Sequence, residues 1–122
     1  MWSYRISTGV TCENDAPRPE ISYSGHDTCK NDPTQCAVPM EGPIPIGKYR
    51  IGPPYDDPGG LGVLVMHLDP LPGTDTLGRS AFRWHGDSSA HPGEASHGCI
   101  VSPHSLRADV ANSQDKTLEV IA

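Results

Sequence analysis

Glycine and proline, 13 of each in 122 residues, cut this chain into segments too short for any long regular element. Glycine loosens a helix or strand interior, and proline fixes φ and removes a backbone donor, so both belong at turns. The longest nearly continuous apolar run, residues 61–68, is strand-sized and far below what a membrane span needs. A coiled coil and a helical bundle are excluded on the same ground. A loop-rich small β domain or a partly disordered chain remains. The length predicts one domain, residues 1–122. A formal charge of −6 is too modest to force disorder by self-repulsion. With a pI near 5.3 and no basic stripe, neither nucleic acid nor an anionic membrane is an expected partner.

Hydrophobic spacing favours the β reading. Trp2, Tyr4 and Ile6 alternate with Ser3, Arg5 and Ser7, which predicts a half-buried strand. After a turn at Asn14, Asp15 and Pro17, a second short strand is expected around Ile21 and Tyr23. Residues 25–42 are polar and turn-rich, a long loop of the kind that compact domains keep for a reason. Residues 48–51, 61–68, 80–85 and 116–122 read as further strands, five or six in all, and 61–68 is expected to be covered on both faces. One helix is expected, with Ser102 as its cap, Pro103 in the first turn, and Leu106, Val110 and Ala111 along one side.

The chemistry concentrates near the C-terminal end. His85, His91, His97 and His104, from six histidines in all, crowd one stretch with Cys99. A thiol attacks only as thiolate, so a nucleophilic cysteine needs an imidazole nearby. In Ser96-His97-Gly98-Cys99, Gly98 lets the backbone turn sharply and sets an amide beside the sulfur, where it can stabilise an oxyanion. His85, ending a predicted strand, is a stiff mount for a base. A buried structural thiol and a metal site are the alternatives. The spacing of His85, His91, His97 and Cys99 matches none of the usual zinc patterns, so a catalytic thiol without metal is the favoured reading.

His85-Gly86 followed by Ser96-His97-Gly98-Cys99 resembles the signature of the L,D-transpeptidase (YkuD-like) catalytic domain. Tyr23-Ser24-Gly25, Lys30-Asn31-Asp32-Pro33 and Gly42-Pro43-Ile44-Pro45-Ile46-Gly47-Lys48-Tyr49 resemble one subgroup, the type VI secretion L,D-transpeptidase effectors, which are antibacterial toxins acting on peptidoglycan. The resemblance covers the chain from about Met1 to Val101. It implies a mainly β fold, a small sandwich or mixed sheet with one short helix near the C-terminus. It implies attack by Cys99 on the bond between meso-diaminopimelate and the terminal D-Ala of a tetrapeptide stem. His85 would accept the thiol proton and pass it to the leaving amine. His97 and the amides around Gly98 and Cys99 would support the oxyanion, and Ser96 would hold the turn or orient an imidazole. Gly86, Asp87, Arg83 and Tyr23 are the expected substrate-binding residues. Water or an amine would then resolve the thioester, giving carboxypeptidase, exchange or cross-linking activity with no cofactor.

Two departures stand out. The stretch between His85 and Ser96 is shorter than in housekeeping relatives, and the arginine often found after the cysteine is replaced by Ile100-Val101-Ser102. Arg79 or Arg83 is the expected substitute for recognising a substrate carboxylate. The resemblance also implies a secretion apparatus, a cognate immunity protein and action as a monomer in the periplasm of target bacteria. The segment Met1 to Arg5 lacks the basic and apolar pattern of a signal peptide, in keeping with such a route or with a mature fragment. A disulfide between Cys29 and Cys36 would suit that compartment; pairing of either with Cys12, or a zinc site of the three with His26, stays open. A housekeeping L,D-transpeptidase and a non-catalytic peptidoglycan-binding module are the competing readings.

Overall fold

The alternation at the start of the chain has the expected effect: Trp2 and Tyr4 of the first strand and Ile6 just beyond it are fully buried. The computed structural model describes residues 1–122. It contains ten strands: β1 (Trp2–Arg5), β2 (Val10–Glu13), β3 (Ala16–Ile21), β4 (Tyr23–Ser24), β5 (Gly47–Ile51), β6 (Tyr55–Asp57), β7 (Gly62–Pro70), β8 (Arg83–His85), β9 (Ile100–Val101) and β10 (Thr117–Ile121). A single α-helix, α1 (His104–Asn112), lies between the last two strands. The fold is mainly β, one mixed sheet in the order β3-β2-β1-β10-β5-β7-β8-β9-β4, with β6 paired to β7. Strands of two or three residues, such as β4, β8 and β9, show no periodicity of their own, which is why the sequence suggested only five or six.

Asn14 and Asp15, both at positive φ, make the tight turn between β2 and β3. The two ends of the chain close the core. Trp2 lies opposite Leu118 and Tyr4 opposite Val120 in a parallel pairing of β1 with β10. These residues join Tyr49, Met66, Leu68 and Trp84 in one cluster of 16 buried side chains. Leu106 and Val110 of α1 are fully buried against it, and Ala111 packs at its margin.

Two local expectations are corrected. The 61–68 run is not covered on both faces: Val65, Met66 and Leu68 are buried, whereas Val63 is 59% exposed. Leu64 adopts φ 57, which breaks the strand alternation, and the first part of β7 runs out as a hairpin with β6. Ser102 does not cap α1, whose N-cap position is Pro103 with no side-chain cap. The Ser102 hydroxyl is buried, accepting from Trp84 Nε1 at 2.7 Å and sharing a 2.6 Å bond with Ser22. A buried indole N–H needs that acceptor more than the exposed helix end does.

The sheet sets the site. β8 and β9 are parallel neighbours, with His85 opposite Val101. His85 therefore ends one strand while Cys99 immediately precedes the next. β4 pairs with the outer edge of β9 and brings the long loop alongside.

Candidate active site

His85 is 2% exposed, and its Nδ1 lies 2.7 Å from the Gly86 carbonyl. A carbonyl only accepts, so Nδ1 carries the proton and the neutral ring keeps its lone pair on Nε2. Burial pushes the imidazole pKa below its ordinary value. The Gly86 carbonyl opposes this, and the charges of Arg107 and Arg83 reinforce it. For Cys99, burial pushes the thiol up. The Arg83 backbone N–H and the charges of Arg83 and Arg79 pull it down, without overcoming burial. The resting pair is therefore a neutral imidazole and a neutral thiol.

Both side chains line one cavity of about 260 Å³, with Met40, Leu61, Phe82, Arg83 and His97 in its walls. A second cavity of about 310 Å³, walled by Gly60, Gly62, Asp87, Ser88 and Ser89, shares Leu61, His85 and Ala95 with the first. The two form a groove that passes over His85.

Ser96 holds the turn that presents Cys99. Its buried hydroxyl accepts from Gly25 N at 2.9 Å and Gly98 N at 3.3 Å, and donates to the Cys99 carbonyl at 2.7 Å. Gly98 has φ +130, and a Cβ there would lie 2.4 Å from an Arg79 nitrogen, so the position requires glycine. Because the Gly98 amide is bonded to Ser96, it is not free to support an oxyanion, contrary to expectation. The Cys99 amide makes no hydrogen bond. His97 is exposed, with Nδ1 3.0 Å from the Met40 carbonyl and its ring 5.0 Å from that of His26, at the cavity rim.

Tyr23 and Asp87, expected to bind substrate, are bonded to each other. The Tyr23 hydroxyl donates to Asp87 Oδ1 at 2.6 Å and accepts from Ala95 N at 2.9 Å. Asp87 also accepts from Ser88 N at 2.8 Å and Gly93 N at 3.1 Å. Burial raises the Asp87 pKa, but the Tyr23 hydroxyl and the Gly93 and Ser88 amides outweigh it and hold the carboxyl below its usual range, with help from Lys30. Lys30 sits 4.3 Å over the Tyr23 ring and bonds the Gly93 carbonyl at 2.9 Å. Together these groups fasten residues 86–95 beside the groove.

The two arginines diverge. Arg79 donates to four backbone carbonyls, which removes it as a receptor for a substrate carboxylate. Arg83 lines the Cys99 cavity, and its Nε is buried with no partner. Gly86 orients His85 through its carbonyl, and a Cβ on it would lie 2.6 Å from Arg107. Arg107 was missed from sequence. It is 5% exposed and donates to the carbonyls of Ser102, Val63 and Leu64, anchoring the kinked hairpin behind His85. Its signal was available, since position 107 falls in the buried stripe of 106, 110 and 111.

All four cysteines are free, so the expected disulfide is absent. Cys36 is buried and donates to the Ile44 carbonyl at 3.6 Å, and the loop is held by Arg79 and Lys30 instead. No three His, Cys, Asp or Glu side chains converge as a metal site would need, Cys12, Cys29, Cys36 and His26 included. No helix is long and apolar enough to cross a membrane.

A family model for the Tlde1 domain matches residues 20–120. Comparison with curated proteins and with solved structures gave no match.

Proposed function

Because this chain belongs to the Tlde1 domain family, the type VI secretion L,D-transpeptidase effectors, we propose that it is a cysteine L,D-transpeptidase and L,D-carboxypeptidase acting on the tetrapeptide stems of peptidoglycan. The observation that carries this reading is the shared cavity of Cys99 and His85, whose Nε2 lone pair is free to take a proton. As Sγ attacks the carbonyl of the meso-diaminopimelate–D-Ala bond, His85 accepts the thiol proton. The Cys99 amide supports the oxyanion. His97 adds a second donor only as imidazolium, because its Nδ1 proton is committed to Met40. The His85 imidazolium then protonates the leaving amine of D-Ala, leaving a thioester on Cys99. Water or an incoming amine gives a proton to His85 as it attacks the thioester, and His85 passes that proton to the departing Cys99 sulfur, which restores the thiol and the neutral imidazole.

Arg83 is a cation lining this cavity, which fits it to a carboxylate of the stem. The adjoining cavity over His85, walled by glycine and serine, has room for water or an acceptor amine, so hydrolysis and exchange are both accommodated. Delivery to the periplasm and a cognate immunity protein that blocks the groove complete the reading.

The test is D-Ala release from purified tetrapeptide muropeptides. Cys99→Ala and His85→Ala are each expected to abolish it; turnover retained in Cys99→Ala overturns the reading. In a Gram-negative host, toxicity is expected only when the chain is directed to the periplasm, and it should disappear with Cys99→Ala. Toxicity of the cytoplasmic form counts against a cell-wall target.

A further inference from the structure

Arg79 lies outside every strand, yet it joins the two loops that build the Cys99 cavity. Its Nη1 donates to the carbonyls of Cys36 at 2.6 Å and Pro43 at 2.8 Å, and its Nη2 to those of Gly42 at 3.0 Å and His97 at 3.1 Å. Three of these carbonyls belong to the long loop, and the fourth belongs to the peptide immediately before Gly98-Cys99. The fit is close on both sides. A Cβ on Gly98 would approach Nη2 to 2.4 Å, and one on Gly42 would approach Nη1 to 3.2 Å. The guanidinium also stands 5.6 Å from the centre of the Phe82 ring, itself a wall of the cavity. No carboxylate comes within ion-pair distance, so carbonyl dipoles alone meet its charge.

We propose that Arg79 is a positioning residue for the nucleophile, tying the long loop to the His97–Gly98 peptide so that Cys99 is held in register with His85 under an uncompensated positive charge. The proposal rests on Cys99 being the nucleophile. Two physical effects are joined in one side chain. The planar fork fixes four carbonyls at once, which a lysine ammonium cannot reproduce in the same plane. The charge favours the thiolate as the proton leaves, and it acts from a half-buried place where screening is weak. In agreement, Arg79 and Cys99 feel each other's charge. A clamp that served stability alone would leave the chemistry of the sulfur untouched.

Arg79→Lys and Arg79→Met separate the two effects. The measurements are the rate of Cys99 alkylation by iodoacetamide against pH, read on the Cys99 peptide by mass spectrometry, and kcat and KM for D-Ala release. In Arg79→Met the alkylation midpoint is expected to rise by about one pH unit, roughly tenfold less thiolate at neutral pH. In Arg79→Lys the midpoint is expected to stay at the wild-type value, while kcat falls about tenfold or more with KM unchanged. An unchanged midpoint in Arg79→Met, or a wild-type kcat in Arg79→Lys, overturns the proposal. If Arg79→Met does not fold, Arg79→Lys decides alone through its split between midpoint and kcat. Alkylation needs no substrate. A wild-type protein with no D-Ala release would therefore refute the muropeptide reading, while the midpoints of the variants still decide the role of Arg79.

Discussion

Replacing Ser96 with alanine tests whether this residue holds the nucleophile turn or orients an imidazole. The hydroxyl is fully buried and serves three backbone groups: the amides of Gly25 and Gly98 and the carbonyl of Cys99. Removing it leaves two buried donors and one acceptor without partners, each costing about 1–3 kcal/mol. The 3.3 Å bond to Gly98 belongs at the weak end of that range, and the Cys99 carbonyl keeps its second lone pair free to find another donor. The expected loss is about 3–5 kcal/mol, a large part of the roughly 5–15 kcal/mol that holds a domain together. Urea unfolding should show this as a lower midpoint with an unchanged slope. D-Ala release should fall with it, because Gly25 and Cys99 are no longer tied across the turn. Cys99→Ala is the control, abolishing turnover at a stability cost below about 1 kcal/mol. A loss under about 1 kcal/mol in Ser96→Ala refutes the reasoning, and the same result with turnover abolished would return Ser96 to the role of orienting an imidazole.

The remaining expectations follow from the same geometry. Burial keeps the folded His85 pKa below its ordinary 6.5, so the acid limb of the pH–rate profile should lie below pH 6.5, and a limb above pH 7 would refute a neutral buried base. Below pH 6.5 the unfolded chain takes up a proton at this ring that the folded chain resists, so its contribution to stability is complete above 6.5 and is lost as pH falls toward the folded pKa, measurable by urea melts at stepped pH. Tyr23→Phe removes one of the donors to Asp87 Oδ1 and the acceptor of Ala95 N; limited proteolysis within residues 86–95 should become several-fold faster, and an unchanged rate argues against the clamp. Gly86→Ala drives a methyl to 2.6 Å from an Arg107 that three carbonyls pin in place; a loss of about 1–3 kcal/mol is expected in urea, with reduced kcat as the carbonyl holding His85 moves.

What the residues disclosed in advance depended on how local the cause was. Trp2, Tyr4 and Ile6 could be placed because alternation is a property of adjacent residues, and α1 because its apolar stripe at 106, 110 and 111 is equally local. The Ser96-His97-Gly98-Cys99 element and His85 upstream of it were legible as a motif. The roles of Arg79, Arg107, Tyr23 and Asp87 were not, since each is decided by partners far along the chain: Arg79 by carbonyls at 36, 42, 43 and 97, and Tyr23 by Asp87 and Ala95. Ser102 read as a helix cap from its place before Pro103, but Trp84 competes for its oxygen. The face exposed by β7 depended on one left-handed residue, Leu64, whose side chain gives no hint of that conformation. The cysteines of the long loop suggested a staple because a disulfide would suit an oxidising compartment, yet an arginine and a lysine hold that loop.

In the proposed mechanism, those non-local partners are also what lets a neutral site generate a nucleophile. Burial raises the thiol and lowers the imidazole, so neither charged form is favoured at rest. Proton transfer from Cys99 to His85 must then be made favourable by what surrounds the sulfur when charge appears there. Three groups meet that requirement: the Arg83 amide facing the sulfur, the Arg83 charge, and Arg79, whose charge no carboxylate cancels. Their interaction with a negative centre is stronger than with a neutral thiol, which is the condition for lowering a barrier instead of merely tightening binding. On the other side of the pair, Arg107 and Arg83 disfavour a standing imidazolium, which in that mechanism favours return of the proton from His85 to the leaving amine. The glycine- and proline-rich loops contribute few apolar contacts, but they supply the carbonyls that hold Arg79 in place. A core of 16 residues suffices because Arg79 ties the long loop to the turn before Cys99, and in the proposed mechanism the charge that makes this tie also bears on the sulfur.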